Sequence, residues 1–344
     1  MIKNPFEQNI KSCVILFNLG GPKNQDDVER FLFDLFFDKR IIPVSIIPRF
    51  FIAKLISKLR KNKAKHIYSL IGGGSPIVQN TTNQAIKLQK YLQNTSSIIG
   101  EKSINWRVFF AMRHSEPFLS DIIKQIKEFD PQEIILLPLY PQYSTTTTES
   151  FFDVWSDVFE KKNLLNSNVS RIIDYHENPI YIRSCIGVIE KFFKEKNLNI
   201  QDFHLIFSAH GLPESIVKNG DPYQKQTEKT YELIISELLK KYQKITSNLC
   251  YQSRVGPKKW IGPSTSEFVE SLSKNGCKNI AIFPISFTSE HSETLVELDI
   301  EIRDEIHAID NSINYIRIPT IQESENFIEC LGVQTLEILK KSLK

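Results

Sequence analysis

Short runs of β-branched, aliphatic and aromatic residues alternate along the chain with longer segments in which apolar positions recur at helical spacing. The runs predict strands over 13–19, 106–112, 133–139, 204–209, 247–252, 279–285 and 314–318. The periodic segments predict helices over 25–37, 80–93, 116–129, 149–162, 178–196, 223–242, 264–274, 292–308 and 323–342. Strands that take turns with helices in this way belong to an α/β fold, with parallel sheets covered by helices.

Three strand-to-loop junctions occur twice and in the same order. VILFNLGGP (14–22) answers LIFSAHGLP (205–213), FFAMRHSEP (109–117) answers LCYQSRVGP (249–257), and ILLPLYPQYSTTTTES (135–150) answers IAIFPISFTSEHSET (280–294). The chain therefore reads as two related α/β halves, 1–172 and 173–344, the first enlarged by an insertion around 38–76 and the last helix packing back on the first half. Ligands of open α/β sheets bind beyond the carboxyl ends of the strands, so these six junctions are expected to face one shared cleft.

Composition narrows the partners. The 344 residues carry 43 basic and 40 acidic side chains, and a net charge of +3 gives no global reason to expect a nucleic-acid partner. Five cysteines, at 13, 185, 250, 277 and 330, form no C-x-x-C pair, which argues against a zinc ribbon or a disulfide framework and for a reducing cytoplasm. No charged-then-apolar leader precedes the strand at Val14 to Leu19, so no targeting segment is expected.

Candidate chemistry clusters at the strand ends of the second half. Ser208-Ala209-His210-Gly211-Leu212-Pro213 follows an apolar run, which puts His210 on a loop where a strand ends. In Phe287-Thr288-Ser289-Glu290-His291-Ser292-Glu293 a strand gives way to a helix, and Glu290, Glu293, Glu297 and Glu301 continue as an acidic stripe opposite Leu295, Leu298 and Ile302. The ordinary reading of such a stripe is a solvated face. Carboxylates four apart repel, however, and only the first turn gains from the helix dipole, so the stripe also suits a path for cations or protons. An imidazole and a carboxylate meeting across the cleft would suit a divalent ion such as Fe2+.

The insertion holds an apolar run from Ile41 to Ala53 followed by Lys54, Lys58, Arg60, Lys61, Lys63 and Lys65. Pro43, Pro48 and Arg49 interrupt it, and it is well short of the ~20 residues needed to span a bilayer. It reads either as the lip of an apolar pocket in contact with a membrane surface or as a buried helix with a solvated flank. The Gly-rich stretches at 18–22 and 71–77 match neither G-x-G-x-x-G nor a P-loop, and both contain proline where a phosphate cradle would need a donor.

Over roughly 12–320 these motifs resemble the ferrochelatase family in order. The most specific is Ser-x-His-Gly-apolar-Pro leading to Gly-Asp-Pro-Tyr, here Leu205 to Tyr223, beside NLGGP, IGGGSPI, LYPQYS, QSRVGP-x-x-W-x-GP and FTSEHSETLVELDIE. The resemblance implies two Rossmann-like domains of chelatase type flanking a porphyrin cleft, and an enzyme that inserts Fe2+ into protoporphyrin IX. It places catalysis on His210, Glu293 and His291, metal contact on His210 and Glu293, and Glu290 and Glu297 beside His291 in the accompanying acidic path. Porphyrin contacts fall on Tyr68, Ser75, Arg113, Tyr140 and Trp260, and on Arg60 and Lys63 in a lip that is a few residues longer. Asn18-Leu19 matches the protoporphyrin-type members rather than the coproporphyrin-type ones.

Some relatives ligate a 2Fe–2S cluster through a cysteine after YPQYS and three more near the C-terminus. Thr145 stands at the first position and no cysteine follows Cys330, so no cluster and no permanently bound cofactor is expected. A cytoplasmic protein with peripheral contact at the inner face of the membrane follows from the lip. A non-catalytic tetrapyrrole carrier would keep the pocket but not need the His210–Glu293 pair, and a chelatase for another metal or ring, such as cobalt and a more carboxylated macrocycle, would differ in a metal-by-porphyrin activity panel.

Overall fold

A computed structural model describes residues 9–95, 98–99, 102–160 and 166–344. The chain divides into two compact units. One comprises residues up to 139, 145–174 and 327–344, the other 140–144 and 175–326.

The first unit is built on a five-stranded sheet. Its strands are β1 (Asn9–Asn18), β2 (Ile98–Ile99), β3 (Lys102–Met112), β4 (Glu133–Pro138) and β5 (Asn168–Arg171), in the order β2-β3-β1-β4-β5. All pairings are parallel except that of the short β2 with β3. The central strand β1 shows why a continuous apolar run was its signature: Cys13, Val14, Ile15, Leu16 and Phe17 are fully buried. A parallel strand covered by helices on both faces has no solvent side and cannot alternate. The C-terminal helix Glu325–Ser342 belongs to this unit, where Ser342 donates to the buried Glu133 at 2.7 Å and Gly332 lies against the Tyr91 ring, which a Cβ would strike at 2.2 Å.

The second unit holds β6 (His204–His210), β7 (Thr246–Gln252), β8 (Asn279–Pro284) and β9 (Asn314–Arg317), all parallel in the order β7-β6-β8-β9. Its core joins Ile206, Cys250, Ile280 and Ile282 of the sheet to Val269, Leu298, Ile302 and Ile306 of the covering helices. The two sheets repeat one topology, in which β3-β1-β4-β5 corresponds to β7-β6-β8-β9. The three recurring junctions follow β1 and β6, β3 and β7, and β4 and β8.

Departures from the expected elements have local causes. The edge strand β5, Asn-Val-Ser-Arg, is polar and half-exposed, so it carries no apolar run to announce it. The insertion contains a long helix, Ile46–Ser69, that periodicity does not single out, because its first half is mostly apolar, with Arg49 and Lys54 interspersed, and its second half basic. It is tied to the helix Val28–Phe36 by Lys61 on Glu29 at 2.6 Å and by packing of Tyr68 on Val28, Phe31 and Leu32. The segment expected as one helix over 292–308 is a π-helix, Glu293–Glu301, followed by an α-helix, Ile302–Ile309. Likewise the helix Thr148–Trp155 continues as a π-turn, Ser156–Glu160.

Candidate active site

Strand register sets the site of the second unit. His210 is the last residue of β6 and pairs with Gln252, the last of β7, so both side chains emerge at the carboxyl edge of the sheet. Gly211 follows because the loops are pressed together there. A Cβ on it would lie 2.9 Å from the Gln252 carbonyl and 3.3 Å from the Trp260 ring. Gly211 N–H donates to that carbonyl at 2.8 Å, and Ile261 N–H to the Leu212 carbonyl at 3.0 Å, which carries Trp260 to within 6.5 Å of the His210 ring, centroid to centroid. The Trp260 indole N–H is buried and has no hydrogen-bond partner among the described residues.

The imidazole of His210 is oriented by its own loop. Nδ1 lies 2.5 Å from the Gly211 carbonyl, an atom that can only accept, so Nδ1 carries a proton. In the neutral ring Nε2 then presents its lone pair, and it stands 3.7 Å from Oε2 of Glu293. That oxygen is buried and has no hydrogen-bond partner among the described residues. A buried carboxylate oxygen left without a donor is uncommon, and its environment suits an incoming proton or cation.

Glu293 opens the π-helix, whose wide i→i+5 bonding is visible where Ile302 N–H donates to the Glu297 carbonyl. Its neighbours are fixed by a network. Glu293 N–H donates to His291 Nδ1 at 2.9 Å, so a neutral His291 bears its proton on Nε2. Burial pushes the His291 pKa down against the opposing pull of Glu293 and Glu290, which keeps the ring neutral. The Gln252 amide donates to the Glu293 carbonyl at 2.9 Å and to Glu297 Oε2 at 3.1 Å, while its oxygen accepts from Ser208 at 2.7 Å. Ser253 donates its N–H to Glu297 Oε1 at 2.7 Å and its hydroxyl to Oε2 at 2.5 Å. To do so it adopts φ 64°, a conformation that costs a non-glycine residue about 1–3 kcal/mol. Burial, reinforced by Glu293, nonetheless raises the pKa of Glu297.

Glu290 faces elsewhere. Its carboxylate receives Arg317 Nη1 at 3.0 and 3.2 Å, the Thr320 N–H at 3.0 Å and the Thr294 hydroxyl at 2.6 Å, so its charge is matched within the protein. Glu301 is exposed. The stripe read from the sequence thus separates into Glu293 beside His210, Glu297 on Gln252 and Ser253, and Glu290 on Arg317.

Tyr140 also belongs to the second unit and is half-buried. The remaining expected contacts lie in the first. Arg113, just beyond β3, donates Nε to Ser150 at 2.6 Å and pairs Nη2 with the buried Asp38 at 2.8 Å, and Ser150 donates to Asp38 as well. Ser75 packs on Gly21, where a Cβ would lie 2.5 Å from its own. Arg60 lies over the Phe36 ring at 5.7 Å and Lys63 is exposed, whereas Tyr68 is buried in the small core with Val28 and Phe31.

Gln252, Ser253 and Arg317 escaped sequence reasoning. The first two sit inside a quoted motif without an obvious role. The signal for Arg317 is an arginine that follows Tyr315 and Ile316 in a short strand and precedes Ile318, an apolar setting that anticipates a buried ion pair.

Comparison with known proteins identifies the family and the fold. The family model described as Ferrochelatase matches residues 11–337. A curated protein named Ferrochelatase from Wolbachia sp. subsp. Drosophila simulans (strain wRi) is 44% identical over 323 residues, covering 94% of this chain and 98% of its own. Proteins of the same name from Pelagibacter ubique (strain HTCC1062) and Rickettsia felis are 44% and 42% identical, covering 94% and 96% of this chain and 90% of each of theirs. Among solved structures, SirB from Bacillus subtilis with Fe3+ matches with a TM-score of 0.51 at 11% identity, covering 96% of this chain and 95% of its own. The sirohydrochlorin chelatase SirB from Bacillus subtilis subspecies spizizenii, in complex with cobalt, matches with a TM-score of 0.50 at 8% identity, covering 95% and 94%. At these identities the structural matches speak for the fold, which is that of the chelatases.

Proposed function

The chain belongs to the ferrochelatase family, and from that premise we propose that His210 and Glu293 act as one unit at which pyrrole protons are exchanged for iron. The enzyme is a metal chelatase, a lyase of haem biosynthesis that inserts Fe2+ into protoporphyrin. The reaction replaces two pyrrole N–H protons with one Fe2+, releases two protons and changes no oxidation state. It therefore needs a proton acceptor, a route for the cation and an anionic group to offset its charge.

The observation that carries the assignment is the 3.7 Å approach of His210 Nε2 to the unpartnered, buried Oε2 of Glu293. With Nδ1 committed to the Gly211 carbonyl, Nε2 is the free base, and it accepts a pyrrole proton. The imidazolium so formed has its counter-charge in Glu293, the carboxylate that steadies it and passes the proton on. The same two donors, one imidazole and one carboxylate, suit transient contact with Fe2+ before the four ring nitrogens take it. His291, kept neutral by burial, adds no positive charge beside the pair and fixes the Glu293 backbone through its Nδ1. Iron is substrate here, and no resident metal or 2Fe–2S cluster is part of this reading. Thr145 stands where a cluster ligand would be, and Cys13, Cys185, Cys250 and Cys330 are buried.

Exchange at one unit implies that single and double losses cost the same. His210→Ala, Glu293→Gln and the double variant, assayed anaerobically for Fe2+ insertion with porphyrin binding measured separately, should all bind porphyrin and show similarly low turnover. Multiplicative losses would instead mean two independent contributions.

The lip supports a second element of the proposal, a peripheral contact with an anionic membrane surface. Ile46, Ile47, Phe51, Leu55 and Leu59 are between 59% and 73% exposed, side by side on the helix Ile46–Ser69 with the exposed Lys54, Lys58 and Lys63. An apolar face of this size with cations along it suits the headgroup boundary, where poorly soluble porphyrin and haem also partition. Among the described residues no helix is long and apolar enough to cross a membrane.

A further inference from the structure

The helix that presents Glu293 has a geometry it does not sustain alone. π-Turns normally occur singly, whereas this one runs from Glu293 to Glu301, so contacts from outside must hold the wide register. Two groups reach it from strands at opposite edges of the sheet. From β7, Gln252 binds the Glu293 carbonyl and Glu297. From β9 comes Arg317, and we propose that Arg317 is a positioning residue that fixes the register in which Glu293 faces His210.

The guanidinium is nearly buried, with 9% of its side chain exposed, and it spans the helix. Nη1 reaches both oxygens of Glu290, before the π-turn, at 3.0 and 3.2 Å, and also the Ile318 carbonyl at 3.3 Å. Nε reaches Asp299, well inside the π-turn, at 2.7 Å. Glu290 is anchored in turn by the Thr320 N–H and the Thr294 hydroxyl. Glu293 lies between the two carboxylates that one rigid fork holds at fixed positions. Rewinding the turn to i→i+4 bonding would carry Asp299 around the helix axis relative to Glu290, and the fork could no longer meet both. A buried guanidinium stripped of a partner is strongly unfavourable, so the ion-pair requirement selects the wide turn. Arg317 contacts neither His210 nor Glu293, which makes its effect one of placement.

The inference rests on the assignment of His210 and Glu293, and the test separates the two. Arg317→Met, Arg317→Lys, the charge-matched double variant Glu290→Gln/Arg317→Met and, in parallel, Glu293→Gln are assayed for anaerobic Fe2+ insertion, with KM for porphyrin and Tm measured for each. The clamp predicts that kcat per folded molecule of Arg317→Met falls about tenfold or more while KM for porphyrin stays within about twofold. Arg317→Lys, which keeps the charge without the fork, should fall between. The double variant should regain Tm without regaining kcat. Parental kcat in folded Arg317→Met, or recovery of kcat together with Tm in the double variant, would show a purely structural ion pair and overturn the proposal. An inactive Glu293→Gln beside a fully active Arg317→Met defeats the clamp alone, whereas an active Glu293→Gln defeats the site assignment and the clamp with it.

Discussion

Oε2 of Glu293 lies 3.7 Å from Nε2 of His210 and has no hydrogen-bond partner among the described residues. Gln252, Ser253 and His291 satisfy the backbone of Glu293 and the carboxylate of Glu297 and leave this one oxygen to the imidazole. The protein thus holds two groups just beyond hydrogen-bonding distance, and in the proposed exchange a proton or a small cation would complete the contact.

Substitution along the acidic stripe should have graded effects on turnover. Glu293→Gln should be severely impaired and Glu301→Gln, at an exposed position, nearly silent. Equal losses at the two positions, read as kcat for Fe2+ insertion, would point to a general charge effect.

Glu297→Gln should change stability in a pH-dependent way. Its folded pKa is raised by burial and by Glu293, so its contribution to stability is fully present below its unfolded pKa of about 4.3 and is lost as pH rises through the folded value. The Tm difference between the neutral variant and the parent should therefore move in the variant's favour as pH rises from 4 to 7. A difference independent of pH would mean that Glu297 titrates alike in both states.

In the first unit, burial, reinforced by the Arg113 cation, holds the His114 imidazole well below the usual histidine range, and the Asp34 backbone offsets only part of this. A histidine depressed in the folded state contributes stability above its unfolded pKa of about 6.5 and loses it below, by at most about 1.4 kcal/mol per pH unit. Its Nε2 lies 3.7 Å from the Asp38 carboxylate, too far for a hydrogen bond. Denaturant unfolding at pH 7, 6 and 5 should show a shallower acid loss in His114→Phe than in the parent, and parallel curves would contradict the argument.

The lip can be separated from the core by stability. Ile47, Phe50 and Phe51 are 70%, 40% and 65% exposed, so replacing all three with serine should cost less than about 2 kcal/mol, against roughly 5 or more if they were buried. Phe50, which meets Phe33 and Phe37 edge-on, accounts for most of that cost. The variant should lose salt-sensitive binding to anionic vesicles and show a raised KM for membrane-delivered porphyrin. Unchanged vesicle binding would remove the membrane contact from the account.

What the sequence could announce followed from local patterns. Buried parallel strands such as β1 and β8 appear as unbroken apolar runs, and the strand-end histidine and the acid-rich helix start are each written in a few adjacent residues. Other features depend on partners distant in sequence. The π-register of Glu293–Glu301 has the same apolar spacing as an α-helix, and its supports, Gln252 and Arg317, come from different strands. For the same reason the stripe of glutamates looked uniform, while the fold gives Glu290 to Arg317 and Glu293 to His210. The helix Ile46–Ser69 was obscured because its exposed positions are apolar as well as polar, so no polar face alternates with a buried apolar one.

The central claim is that His210 and Glu293 form a single exchange unit. Its most direct test is the anaerobic rate of Fe2+ insertion by His210→Ala, Glu293→Gln and the double variant, each at saturating porphyrin. Unit behaviour predicts that all three bind porphyrin normally and that the double variant is no slower than the slower single one. A single variant with near-parental turnover, or a double variant slower by the product of the two single effects, would contradict it.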